Sequence, residues 1–174
     1  MSSPDPAFVE SAIGFHFTRR ELLVRALTHS SHREESRAER VPEADNEQLE
    51  FLGDAVLGLV VSEHVTRICP EFDEGRLTNV KARLVNRTHL AEVARRLQIG
   101  AHLFLSKSED STGGREKNSL LANALEALLA AVYLEGGLEA ARAVILNHIV
   151  ADADVRALAV SAHNNVRVLS LIHI

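Results

Sequence analysis

Glu47, Glu50 and Asp54 all lie in the stretch NEQLEFLGDAVLG, Asn46 to Gly58, among residues that otherwise read as a buried apolar helix. At about 100° per residue, the spacing i, i+3, i+7 places the three carboxylates within an arc of roughly 60°. Glu47 and Glu50 occupy the first turn, where the helix dipole favours acids. Asp54 lies two turns in, beyond the dipole, flanked by Leu52, Ala55 and Val56. A lone carboxylate buried there is costly unless a cation or a hydrogen-bond donor answers it. The stretch Ser119 to Leu134 repeats the anomaly: Asn123 and Glu126, at i and i+3, are its only strongly polar side chains. Two core helices with such stripes are expected to face each other across a divalent cation. Oxygen-only ligands suit Mg²⁺ or Mn²⁺ better than zinc. A di-iron bundle is disfavoured, because its Glu-x-x-His pair occurs nowhere in the chain. His29 and His32 have a possible ligand spacing but read as polar surface at a helix end.

Carboxylates gathered around divalent cations point to phosphoryl chemistry, in which one ion activates a water and another stabilises the leaving oxygen. Such a site needs a means of holding a polyanion. Lys81, Arg83, Arg87, Arg95 and Arg96 supply cations along one helical region, and Lys107, Arg115 and Lys117 supply them in a loop. Each alone reads as a solvated face; together they form a candidate phosphate track.

The elements that position these residues read as helices joined by polar loops. A first helix is predicted over Ala7 to Ile13. A second follows Thr18 as capping residue, with Glu21 completing a capping box. The charged stretch from Ser30 to Asn46 contains Pro42 and reads as a loop. Asp45 or Asn46 caps the acidic helix, which stops before Pro70. EFDEGRL reads as a turn, and Thr78 to Leu97 as an amphipathic helix interrupted near Asn86. QIGAHLFLSKSEDSTGGREKN mixes an extended piece with a glycine-bearing loop. The apolar helix from Ser119 ends at Gly136 and Gly137, and a last helix covers Leu138 to Leu158. The fold class is all-α, with one domain over residues 1–155. Residues 156–174 read as a linker or a non-native tail without assigned function.

Bulk properties agree with this organisation. The chain has 174 residues, 46% of them hydrophobic and 25% charged, enough for one domain with a real core. No apolar run of about 18 residues is present to span a membrane, and the N-terminus lacks the basic region of a secretory signal. A single cysteine, Cys69, cannot form an internal disulfide and reads as core filling, which suits a cytoplasmic protein. The net charge of −5 argues against wrapping nucleic acid by bulk electrostatics, though it leaves room for a local basic face.

The same residues resemble the ribonuclease III family. NEQLEFLGD matches every fixed position of that family's signature, Asn-Glu-x-Leu-Glu-Phe-Leu-Gly-Asp. ALTHSS before it, FDEGRLTNVKARLVNRTHLAEVARRLQIG after it, and GGREKNSLLANALEALLAAVYLEGG further on resemble the family's other segments in order, from about Phe8 to Val150. The resemblance implies an all-helical endonuclease domain that dimerises and cuts double-stranded RNA with Mg²⁺, with Mn²⁺ as substitute. It implies metal ligation by Glu50, Asp54, Glu126 and the residue at 123, with Asp54 and Glu126 catalytic. It makes Glu47 and Glu74 additional acids, Phe51 a contact to the partner subunit, and Lys81, Arg83, Arg115 and Lys117 contacts to RNA. Two departures stand out. Asn123 replaces the family's aspartate, so weaker cation binding and slower hydrolysis are expected. The double-stranded-RNA-binding domain that commonly follows in bacterial members has no counterpart in the sequence. A non-catalytic relative that binds structured RNA is the alternative reading.

Overall fold

A computed structural model describes residues 4–32, 44–150 and 155. Seven α-helices run through them: α1 (Pro6–Ile13), α2 (Arg20–Ala26), α3 (Glu47–Ile68), α4 (Glu74–Leu84), α5 (Arg87–Arg96), α6 (Lys107–Ser111) and α7 (Asn118–His148). Two 3₁₀ turns, Ile99–His102 and Gly114–Glu116, complete the order. Among the described residues the one β feature is an isolated bridge between Thr28 and Phe104. The fold is therefore all-α, as the sequence predicts; the expected tail at 156–174 lies outside the described residues.

The centre is the long pairing of α3 with α7, against which α5 packs from the side. One face of α3 enters the core through Leu49, Val56, Leu57, Val60, Val61 and Val65, whereas α7 is buried on most sides from Leu121 to Val132. Gly53 lets the two backbones meet. A Cβ there would lie 1.8 Å from the Glu126 carbonyl oxygen, so no larger residue fits without parting the helices. Past Tyr133 the long helix breaks at Gly137, whose φ of 78° and ψ of −176° are open to glycine and strained for other residues. The predicted stop at Gly136 and Gly137 is thus a kink between two helical segments.

Local signals explain most boundaries. The Asp5 carboxylate caps α1 and Gly14 ends it in the left-handed conformation. Asn86 accepts from the His89 N–H at 3.0 Å and donates to the Arg83 carbonyl at 2.6 Å, which fixes the interruption between α4 and α5. Three expectations need correction. Thr18 does not cap α2: the Glu135 carboxylate, from α7, accepts from the Thr18 and Arg19 N–H groups and from Arg19 Nε. EFDEGRL is not wholly a turn, because Asp73 accepts from the Arg76 N–H and starts α4 inside it. Lys107–Ser111 forms a short helix capped by Ser106 rather than loop. Cys69, the single cysteine, is buried in the core, as expected.

Candidate active site

The contact at Gly53 brings the acids together. Glu50 lies one turn before it and Asp54 directly after it on α3, while Glu126 carries the carbonyl that Gly53 touches. Asn123 stands one turn before Glu126 on α7. Glu50, Asn123 and Glu126 are partly buried, whereas Glu47 and Asp54 are exposed. Asp54 therefore does not face the burial cost expected of it from its apolar neighbours. The helix has a second, uncovered face: Phe51 is 82% exposed and Leu59 54%, with exposed Ala55 between them at i+4. Apolar composition alone cannot separate a face turned to the core from one left open.

The electrostatics show a cluster short of positive charge. Burial pushes the Glu126 carboxyl up to about 7, and the charges of Asp54 and Glu50 push the same way against the pull of Arg87. Glu50 is also raised, by burial first and then by Glu47 and Asp54; Arg87 and the Asn123 carboxamide favour its charged form. Asn123 thus acts on Glu50 as a donor. An oxygen-only set whose members raise one another's proton affinity fits a hard divalent cation. Glu50, Asp54, Glu126 and the Asn123 carbonyl are the groups that would hold it. Among the described residues no three His, Cys, Asp or Glu side chains are already closed to metal-binding spacing.

The other candidates divide. Lys81 reaches over Gly58, one turn beyond Asp54, with its Nζ 3.4 Å from where a Cβ at Gly58 would stand. Glu74 lines a groove of about 310 Å³ between α3 and α4, beside Ser62, Thr66, Thr78 and Lys81. Ser62 and Thr66 lie eight and twelve residues beyond Asp54, about 12–18 Å along the helix at 1.5 Å per residue, so the groove runs along α3 away from the acids. Arg83 is exposed.

Arg115 and Lys117 are engaged within the chain. Arg115 Nη1 donates to the carbonyls of Gly100, Ala101 and Leu103, each at 3.0 Å, and its remaining nitrogens grip Asp110. Lys117 Nζ binds Glu109 Oε1 at 2.6 Å. Arg95 donates to the Glu116 carbonyl and to Asn118 Oδ1, and Arg96 to the His148 carbonyl. These cations hold the chain together, which a run of charges in sequence cannot reveal. His29 contacts Ser31, and His32 contacts the Leu105 carbonyl. Two features escaped the sequence reading: the extension of the exposed Phe51 into an open stripe with Ala55 and Leu59, whose signal is its i, i+4, i+8 spacing, and the pull of the Arg87 charge on Glu50 and Glu126.

A family profile described as Ribonuclease-III-like matches residues 19–153. The chain is 49% identical over 148 residues to a Ribonuclease 3 of Solibacter usitatus, which covers 83% of this chain and 55% of that protein. It is 47% identical over 140 residues to a Ribonuclease 3 of Caldanaerobacter subterraneus, covering 80% and 60%. The chain thus spans somewhat over half the length of these relatives. A solved nuclease domain of ribonuclease III from Campylobacter jejuni, described for flexibility in a region involved in dimer formation, superposes with a TM-score of 0.76 at 38% identity. It covers 83% of this chain and 96% of that one. With profile, relatives and structure in agreement, the chain belongs to the ribonuclease-III-like family.

Proposed function

We propose that this chain is the catalytic part of a Mg²⁺-dependent endoribonuclease that cuts double-stranded RNA as a homodimer. The observation that carries the reading is the meeting of Glu50 and Asp54 with Glu126 at the Gly53 contact, beside an uncovered apolar stripe. Bound divalent ions would supply an activated water and charge stabilisation for the leaving oxygen. The chain's own groups do the rest. Glu50 and Asp54, on one rigid helix, and Glu126, on another, fix the cluster's position. In the metal-free chain Glu126 keeps a proton on its carboxylate up to about pH 7, so cation binding releases it. Lys81 and Arg83 lie on the helix next to α3 and meet backbone phosphates. Phe51 and Leu59 bury themselves in a second copy, so that two clusters face the two strands of one duplex. The products expected are a 5′-phosphate and a 3′-hydroxyl with a short 3′ overhang.

Asn123 favours a second reading, a relative that binds structured RNA without cutting it, because an amide brings one negative charge fewer to the cation. One experiment separates the two: incubation of a labelled RNA duplex with Mg²⁺ or Mn²⁺ and this chain, Asn123→Asp or Glu126→Ala. Cutting by the first two and not by the third supports the nuclease. Duplex binding without cutting by any of them supports the alternative.

A further inference from the structure

We propose that Lys81 serves the partner copy's acid cluster rather than its own, holding the phosphate that the partner's cluster cuts. The proposal rests on the reading above and adds which of the two sites the lysine belongs to. Val80 and Leu84 bury one side of α4, which packs along α3 and leaves Lys81 partly buried. Its Nζ and Cε stand 3.4 and 3.8 Å from where a Cβ at Gly58 would lie, so the missing side chain seats the ammonium on the surface of α3. Ser62, Thr66, Glu74 and Thr78 line the groove beside it. The Ser62 and Thr66 hydroxyls already donate to the carbonyls of Gly58 and Ser62. Among the described residues, the Lys81 ammonium makes no hydrogen bond or ion pair.

Helix geometry says where Gly58 falls in a dimer. At about 100° per residue, Phe51 and Leu59 lie about 40° to either side of Ala55, and Gly58 and Asp54 lie about 60° and 100° round on the Phe51 side. A parallel two-fold pairing of α3 through the exposed stripe would turn the two acid clusters to opposite sides of the helix pair, where one duplex could not meet both. An antiparallel pairing centred on Ala55 sets Phe51 against the partner's Leu59 and brings both clusters to one side. Gly58 then stands level with the partner's Leu52, about 3 Å along the axis from the partner's Asp54. The chain's own Asp54 is a full turn back, about 6 Å. Side chains on a helix also lean toward its N-terminus. That lean carries the chain's own Asp54 carboxylate away from Lys81 and the partner's Asp54 carboxylate toward it. The ammonium, a compact charge on a flexible stem, is therefore placed to meet a phosphate at the partner's cluster.

The test uses dimers assembled from two differently tagged copies. Single-turnover cleavage of a labelled RNA duplex is measured in Mg²⁺, and duplex binding by anisotropy in Ca²⁺ across salt concentrations. Lys81→Met removes the charge and keeps the length of the side chain. Its homodimer should cut roughly ten- to a hundredfold more slowly than the parent and bind with a salt dependence reduced by about two counterions, one per site. A mixed dimer of Lys81→Met with Glu126→Gln has its one intact cluster opposite an intact Lys81, and that cluster should cut as fast as a parent cluster does. A parent copy paired with a copy carrying both substitutions has its intact cluster opposite Met and should cut as slowly as a cluster of the Lys81→Met homodimer. The reverse order of the two mixed dimers assigns Lys81 to its own cluster and overturns the proposal. Parental cleavage or parental salt dependence in the Lys81→Met homodimer overturns it too, as does a parent chain that cuts as a monomer. A parent dimer that binds the duplex without cutting it ends the nuclease reading and this proposal together.

Discussion

At Asn123 a single atom changes the charge of the cluster. The carboxamide acts as a donor to Glu50 and eases its ionisation, where a carboxylate would repel it. Asn123→Asp should therefore raise Mg²⁺ affinity by roughly ten- to a hundredfold, from one added unit charge at contact distance from a divalent ion. Calorimetric titration with Mg²⁺ checks this without RNA. The same substitution should destabilise the metal-free chain, because it adds one more acid to a set that already repels itself. Glu126 gives a second prediction. Its carboxyl titrates at about 7 in the folded chain against an ordinary 4.5, so the folded state holds that proton more firmly than the unfolded state does. Its contribution to stability is complete below about pH 4.5 and declines as pH rises to about 7. Melting in EDTA at several pH values should show this decline, Glu126→Gln should flatten it, and Mg²⁺ should restore stability at the upper end by binding the folded state.

Two element-scale features set where those groups stand. Gly53 brings α3 onto α7, and a methyl at 1.8 Å from a backbone carbonyl cannot be relieved by turning a side chain. Gly53→Ala should cost about 3 kcal/mol or more, at the upper end of overpacking, measured by urea unfolding. Arg115 ties three carbonyls and Asp110 into one corner. Arg115→Ala should cost roughly 2–3 kcal/mol through the loss of charge-assisted hydrogen bonds, and the protein that remains folded should bind duplex RNA as before. Loss of RNA affinity without loss of stability would return Arg115 to the phosphate track. Much at this scale is legible from sequence. Apolar periodicity locates α3 and α7, Asn86 marks the α4–α5 break, and Gly136 and Gly137 mark the kink. The cap of α2 is not legible, because it comes from Glu135, over a hundred residues away. For the same reason the duties of Arg115 and Lys117 are hidden: sequence shows that a charge exists and leaves out which distant group meets it. The acids of the cluster are legible from type and spacing, but the exposure of Asp54 depends on which face of α3 the core leaves open.

For the molecule as a whole, that open face bears most on the proposed activity. Phe51 and Leu59, 82% and 54% exposed, lie on the helix that carries Glu50 and Asp54, so whatever covers the stripe comes within a turn or two of the acids. A second copy of the chain fits this geometry, because a two-fold contact through α3 would set two clusters on either side of one axis. The duplex of the proposed activity presents two strands, one for each cluster. Phe51→Asp together with Leu59→Asp buries two charges in any such contact and should yield a monomer that melts near the parent temperature, since neither side chain belongs to the core. Its mass follows from light scattering after gel filtration. If the dimer is what aligns the clusters, this monomer should lose double-strand cutting by at least about tenfold through lost positioning, while its Mg²⁺ affinity stays near that of the parent. A dimeric double variant, or a monomer that still cuts both strands at the parent rate, would show that the stripe does not join the two sites and that each cluster acts alone.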